Sequence, residues 1–210
     1  MKFQPKKPQG SGGRRVLQRM NKHHSGLTVW ALGHLALPQT GAILDVGCGG
    51  GRTIGRLLAG SAAARVYGLD YSEESVRIAR QTNGRAAAAG RAVIRQGSVS
   101  RLPYAAGRFA LVTAVETHFF WPNLAADVRE VLQVVAPGGR FALIAETYAG
   151  SHAALGRWVS HNSDRAGMTI LAPEEHRKLL EEAGFVNVQL HLDTENEWIC
   201  AVGEKRSILA

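Results

Sequence analysis

The run Ala42-Ile43-Leu44-Asp45-Val46-Gly47-Cys48-Gly49-Gly50-Gly51 constrains this chain more than any other stretch. Ala42 to Val46 read as a buried parallel strand that runs straight into a glycine-rich turn, with a helix predicted over Arg52 to Ala59. A strand, a glycine turn and a helix N-terminus in that order let backbone N–H groups come close to a small ligand. Glycine permits the tight turning and leaves open the space a side chain would fill. The acid at the strand end, Asp45, and a later acid, Asp70, narrow the kind of ligand further.

Beyond that turn the hydrophobic period alternates between strand-like and helix-like. Strands are predicted at Ile43–Val46, Val66–Asp70, Ala92–Gln96, Phe109–Val115 and Arg140–Ala145. Ser72 is placed to cap a helix with Glu73 and Glu74 in its first turn, where the helix dipole favours acids; the pattern runs on to the Ala86–Gly90 stretch. Asn123 caps a second helix, whose apolar positions Leu124, Val128, Val131, Leu132 and Val135 keep a helical period until Pro137-Gly138-Gly139 stops it. Pro173 opens a third and Gly184 closes it. Val186–Leu190 and, in part, Trp198–Val202 then alternate with no helix between them, which reads as a hairpin. The expected fold is α/β, a doubly wound, mostly parallel, seven-stranded sheet that ends in one antiparallel hairpin at its edge.

A chain of 210 residues fits one domain with a substantial core. The formal charge of +8 is localised: residues 1–22 hold seven basic side chains and no acid, which leaves 18 basic against 17 acidic residues elsewhere. A basic tail of this kind is read as solvated chain rather than as a nucleic-acid site. Residues 1–13 mix Pro, Gly, Lys and Gln and are expected to be disordered; residues 14–210 form the single domain, opened by a helical cap over 14–37 that Ser25-Gly26 divides and Pro38 ends. No apolar run approaches the roughly 20 residues of a membrane span, and no signal-peptide core follows the basic start. Two cysteines, Cys48 and Cys200, give no disulfide framework, which fits the cytoplasm.

A nicotinamide dinucleotide site would place G-x-G-x-x-G at the first turn, but Arg52 stands where the third glycine belongs. A different family matches better. Asp45-Val46-Gly47-Cys48-Gly49-Gly50-Gly51 resembles the D-x-G-x-G-x-G signature of class I S-adenosylmethionine-dependent methyltransferases. Further segments resemble that family in its own order: Tyr67–Ser72 its second motif, Gln96–Tyr104 its G-D-A-x-x-L-P-F stretch, and Phe109–Trp121 its fourth strand and loop. Val131–Arg140 resembles its L-K-P-G-G stretch, and Ala183-Gly184-Phe185 its A-G-F before strand six. The subgroup most resembled is the small-molecule type related to quinone-biosynthesis C-methyltransferases.

The resemblance implies a Rossmann-like methyltransferase fold, S-adenosyl-L-methionine as cofactor, S-adenosyl-L-homocysteine as product, and no metal. It implies that Gly47 and Gly49 make room for the methionine part, with Asp45 and Cys48 beside it, and that Asp70 accepts from both ribose hydroxyls. Tyr71 is expected against one adenine face, and Gly97, Ser98 and Val99 along the other. Ser98 stands where the family usually has Asp, so an uncharged acceptor faces the adenine amino group. Glu116 falls where relatives contact the methionine end.

Methyl transfer from a sulfonium is a direct displacement that needs alignment, exclusion of water and, for some acceptors, removal of a proton. The candidates for that last task are His118 and Glu116 after strand four and His23 in the cap. Phe119, Phe120 and Trp121, with Trp30 and Tyr148, are the candidate lining of an apolar acceptor pocket, although aromatic residues beside a strand also serve as core. His23 and His24 are adjacent on a helix, point about 100° apart and do not suit a metal pair. An acceptor-side insertion is expected over about 147–172, with Tyr148, His152, Trp158, His161 and Asn162. Two other functions stay open: a nucleic-acid methyltransferase recruited by the basic tail, and a non-catalytic cofactor-binding domain. The first lacks the Asn/Asp-Pro-Pro-Tyr/Phe tetrad used on flipped bases, since Trp121-Pro122-Asn123 is no substitute. The expected partner is a small-molecule acceptor rather than nucleic acid, for a monomer or homodimer; the acceptor atom stays open.

Overall fold

A computed structural model describes residues 25–151 and 167–207. The expected tail over 1–13, the cap before Ser25 with His23, and most of the insertion lie outside the described residues.

The elements follow the alternation of the sequence. Helix α1 (Ser25–Gly33) precedes β1 (Ala42–Val46), α2 (Arg52–Gly60) and β2 (Arg65–Asp70). Then come α3 (Glu73–Thr82), the short α4 (Gly84–Ala88), β3 (Ala92–Gln96), β4 (Phe109–Val115) and a 3-10 turn over His118–Phe120. The chain continues through α5 (Leu124–Val134), β5 (Val135–Ala145), α6 (Pro173–Ala183), β6 (Phe185–Asp193) and β7 (Trp198–Lys205). The seven strands form one sheet in the order β3-β2-β1-β4-β5-β7-β6. Strand order reverses between β1 and β4, both parallel and in register with Ile43 opposite Leu111, so a crevice opens at their carboxyl ends.

Strand alternation sends alternate side chains to two cores. Ile43, Val66, Ile94, Leu111, Ala142 and Ile144 pack under α1, α2 and α3 through Leu27, Ala31, Ile54, Leu57, Val76 and Ala79. Leu44, Leu69, Val112, Phe141 and Leu143 pack on the other face under α5 and α6 through Val128, Val131, Val134, Leu180 and Ala183. Strands buried on both faces read as continuous apolar runs, which is why β1, β4 and β5 stand out in the sequence.

The seven-stranded α/β expectation holds, with four local corrections. The helix opened by Ser72 does not run unbroken to Ala86–Gly90. It ends at Thr82, where the Asn83 backbone N–H and side-chain amide both donate to the Ala79 carbonyl, and a separate short helix follows. Strand β5 begins at Val135, before the Pro-Gly-Gly stop. Its register against β4 jumps from Phe109–Val135 to Leu111–Arg140, so Pro137-Gly138-Gly139 loops out as an irregularity inside the strand. Helix α1 stops at Gly33, short of Pro38. The C-terminal hairpin makes two antiparallel pairings rather than one, because β7 inserts between β5 and β6 and bonds to both.

Insertion of β7 brings Lys205 to the end of α5. Its ammonium donates to the carbonyls of Leu132 and Val135, each at 2.8 Å, where the helix leaves its last acceptors unpaired. Lys205→Met is expected to lower unfolding stability by about 1–3 kcal/mol, read from urea denaturation midpoints at constant m-value.

Candidate functional site

The first turn is built from backbone bonds that only glycine conformations allow. The N–H groups of Gly47 and Cys48 both donate to the Leu69 carbonyl, at 2.7 and 3.0 Å, which draws the turn onto the end of β2. Gly47 and Gly51 have φ of 71° and 78°, in the left-handed region that favours glycine. A Cβ on Gly51 would lie 2.6 Å from the Asn83 amide nitrogen and 2.9 Å from the Ala79 Cα. Asn83 itself donates to the Gly51 carbonyl at 2.9 Å, so the end of α3 holds the turn in place.

Asp70 closes the arrangement from the neighbouring strand. One carboxylate oxygen accepts from the Gly49 N–H and the other from the Ser72 N–H, both at 2.9 Å. Burial raises its pKa, against the lowering effect of those two N–H donors. Asp45, at the end of β1, accepts from the Thr113 hydroxyl at 2.8 Å. With only 2 % of its surface exposed, its pKa is raised to about 7, chiefly by burial; the Thr113 hydroxyl opposes that shift and the nearby Asp70 charge adds to it.

These groups open into a cavity of about 200 Å³ at the carboxyl ends of β1, β2 and β4. Gly47 to Gly50 form its floor, and Leu69, Asp70 and Tyr71 one side. Gly97, Ser98 and Val99 close the side beyond β3, while Val115, Glu116, Thr117, Phe120, Trp121 and Pro122 form the wall after β4. Tyr71 is 40 % exposed, so its ring stands at the mouth. The Ser98 hydroxyl accepts from the Ser100 N–H at 3.2 Å, which commits one of its lone pairs to its own loop. Glu116 adopts φ 56°, and its carboxylate accepts from the Glu146 N–H at the end of β5.

Every residue expected at the cofactor, namely Asp45, Gly47, Cys48, Gly49, Asp70, Tyr71, Gly97, Ser98, Val99 and Glu116, lines this cavity. The acceptor-side expectations divide. Phe120 and Trp121 line the cavity, but Phe119 turns away and packs with Ala145, Ile199 and Tyr148. Trp30 packs against His34 and Trp198 on the α1 side of the sheet. His118, expected as a base at the pocket, is not among the lining residues. It is buried, with its Nε2 at 3.2 Å from Nε2 of His176, because the 3-10 turn rotates it towards α6 while Phe120 faces the cavity. His23 lies outside the described residues.

The structure adds lining residues that sequence reasoning missed: Thr28 from α1, Arg52, Thr53 and Arg56 from α2, and Ser75 from α3. Arg52 and Arg56 lie one helical turn apart, a spacing legible in the sequence directly after the glycine run. The Arg56 pKa is lowered, mainly by burial and then by the like charge of Arg52. The ion pairs among the described residues involve neither guanidinium. Thr28 carries no sequence signal, because only packing of α1 over the sheet brings it there.

Comparison with known proteins agrees with this geometry. The family described as "Methyltransferase domain" matches residues 44–143, from β1 to β5. The 27-O-demethylrifamycin SV methyltransferase of Amycolatopsis mediterranei is 29% identical over 163 residues, 76% of this chain and 59% of that protein. The demethylmenaquinone methyltransferase of Lactiplantibacillus plantarum is 30% identical over 110 residues, 52% of this chain and 46% of that protein. The chain spans about half the length of the curated relatives it matches. Human N-acetylserotonin methyltransferase, solved in complex with SAM, superposes with a TM-score of 0.76 at 17% identity, over 94% of this chain and 57% of that one. The resemblance seen in the sequence therefore holds at the level of domain and fold.

A buried acid whose pKa is raised binds its proton in the folded state over a range where the unfolded chain has released it. Asp45 therefore lowers folding stability progressively as pH rises from about 4 to about 7, and by a constant amount above that. Asp45→Asn keeps an oxygen for the Thr113 hydroxyl and removes the titration. Its stability relative to the parent is expected to grow across that pH window and then level off, as read by urea unfolding at several pH values.

Proposed function

We propose that this chain, whose residues 44–143 carry a methyltransferase domain of class I architecture, transfers a methyl group from S-adenosylmethionine to a small-molecule acceptor. The observation that carries the reading is the Asp70 carboxylate. It lines the cavity while holding the Gly49 and Ser72 N–H groups and the Ser75 hydroxyl, and a carboxylate's roughly four lone-pair sites leave it room to accept from a ribose. The charge layout supports the same ligand. Asp45 and Glu116 suit the sulfonium and ammonium, while Arg52, Arg56 and the N-terminus of α2 suit the amino-acid carboxylate. The Tyr71 ring at the mouth suits an adenine face.

When bound, S-adenosylmethionine supplies an electrophilic methyl on a sulfonium sulfur. The chain's own part is to hold and align. Phe120 and Trp121 keep water from the acceptor side and offer an apolar face. Glu116, fixed by the Glu146 N–H, is the group on that wall that takes a proton where the acceptor must lose one. His118, turned into the protein, does not. The described residues just before α6 support the turn behind the acceptor side, with Met168 and Ile170 packing with Phe119 and the Thr169 N–H donating to the Phe119 carbonyl at 2.9 Å. A small acceptor is supported by the names of relatives that methylate a rifamycin and demethylmenaquinone. Cys48 and Cys200, both buried and free, fit the reducing cytoplasm, and no helix among the described residues is long and apolar enough to cross a membrane.

Calorimetric titration is expected to show binding of S-adenosylmethionine and S-adenosylhomocysteine and none of NAD; avid NAD binding without either nucleoside would overturn the reading. Asp70→Ala is expected to weaken S-adenosylhomocysteine binding by about 1.5–3 kcal/mol, the range for hydrogen bonds to a charged group. Parental affinity in a folded variant would refute the ribose assignment. Release of S-adenosylhomocysteine over a panel of phenols, quinols and amines then identifies the acceptor.

A further inference from the structure

We infer that His118 and His176 form an uncharged clamp that positions the aromatic wall of the cavity, and that protonation of this buried pair loosens it. What the wall serves rests on the function proposed above; the clamp itself rests on geometry.

The hydrogen positions follow from the partners. The Nδ1 of His176 lies 2.9 Å from the Ala172 carbonyl, which can only accept, so Nδ1 carries the hydrogen and Nε2 of the neutral ring is bare. The Nε2 of His118, 3.2 Å away, must therefore carry its own hydrogen and donate. That leaves Nδ1 of His118 bare, and it is buried with no hydrogen-bond partner among the described residues. A single arrangement of two neutral rings satisfies every contact. One proton added to the pair leaves an N–H shared between the two Nε2 atoms but buries a charge and an Nδ1–H on His118 that has no acceptor among the described residues; a second proton sets two N–H groups against each other.

Position gives the pair its consequence. His118 opens the turn that presents Phe120 and Trp121, and its own carbonyl accepts from the Trp121 N–H at 3.1 Å. Its other neighbour, Thr117, packs so closely on the glycine turn that a Cβ on Gly47 would lie within 3 Å of it. His176 sits in the first turn of α6, just after the residues that support this turn from behind. The groups acting electrostatically on the pair are the two rings themselves and Glu175, on the helix that carries His176. Burial disfavours the charged form of both rings, and each lies below the ordinary imidazole pKa, His118 well below. The clamp is thus closed at neutral pH and opens only in acid.

Two variants separate the outcomes, with S-adenosylhomocysteine as the probe, titrated from about pH 8 to about pH 5. In His176→Gln the amide oxygen replaces Nε2 as acceptor and does not titrate, whereas His176→Leu removes the acceptor. The parent is expected to lose affinity in acid through the site carboxylates Asp45 and Asp70 and through the clamp. His176→Gln should match the parent at neutral pH and lose less affinity in acid, since only the carboxylates then contribute. His176→Leu should bind about tenfold more weakly at neutral pH while folded by circular dichroism. An acid profile of His176→Gln that superimposes on the parent, or parental affinity in folded His176→Leu, overturns the clamp. If no form binds the probe, the proposed function fails and the clamp is judged by imidazole nitrogen spectra. His176 as the Nδ1–H tautomer, His118 as the Nε2–H tautomer, and faster amide exchange at Phe120 and Trp121 on acidification support it. Two rings that titrate independently near their ordinary pKa overturn it.

Discussion

One buried carboxylate joins the parts of this site. Asp70 accepts from Gly49 across the sheet and from Ser72 along its own chain, so the glycine turn and the start of α3 share a single anchor. Taking a carboxylate out of water is costly unless it is hydrogen-bonded, and here backbone N–H groups meet that need without a counter-ion. The same bonds hold the turn open as a cradle. An acid that met its demand with a lysine would present a closed ion pair to the cavity.

Around that anchor the cavity is electrically divided. Acids stand at the ends of β1, β2 and β4, and two arginines rise from the first turns of α2. The strand ends supply the acids because side chains there point over the rim. The helix supplies the cations because residues one turn apart share a face. A ligand with a cationic centre, an anionic group and a sugar is matched by this layout in three places at once.

The wall after β4 is arranged differently. It has no backbone cradle and is held from behind, by Glu116 bonded to the Glu146 N–H and by His118 bonded to His176. His118 is consumed in that support, while Glu116, Phe120 and Trp121 line the cavity. Substitution at Phe120 or Trp121 reshapes this wall without touching the glycine turn or Asp70.

The sequence alone determined the order of strands and helices, the glycine turn and the acids at its rim, because these depend on local period and on conformations few residues adopt. Asp45, Gly49, Asp70 and Val99 were legible since each sits next to a strand end, and in a doubly wound sheet strand ends and site coincide. Tertiary structure decided which way side chains face where the chain leaves regular structure. Over His118–Trp121 no period applies, and a 3-10 turn sent His118 and Phe119 inward and Phe120 to the cavity. It also decided the placement of β7, whose pairing with both β5 and β6 depends on non-local hydrogen bonds that an alternating pattern does not encode. Thr28 and His176 belong with these. Each owes its role to a partner far away in the chain, a distance that only folding removes.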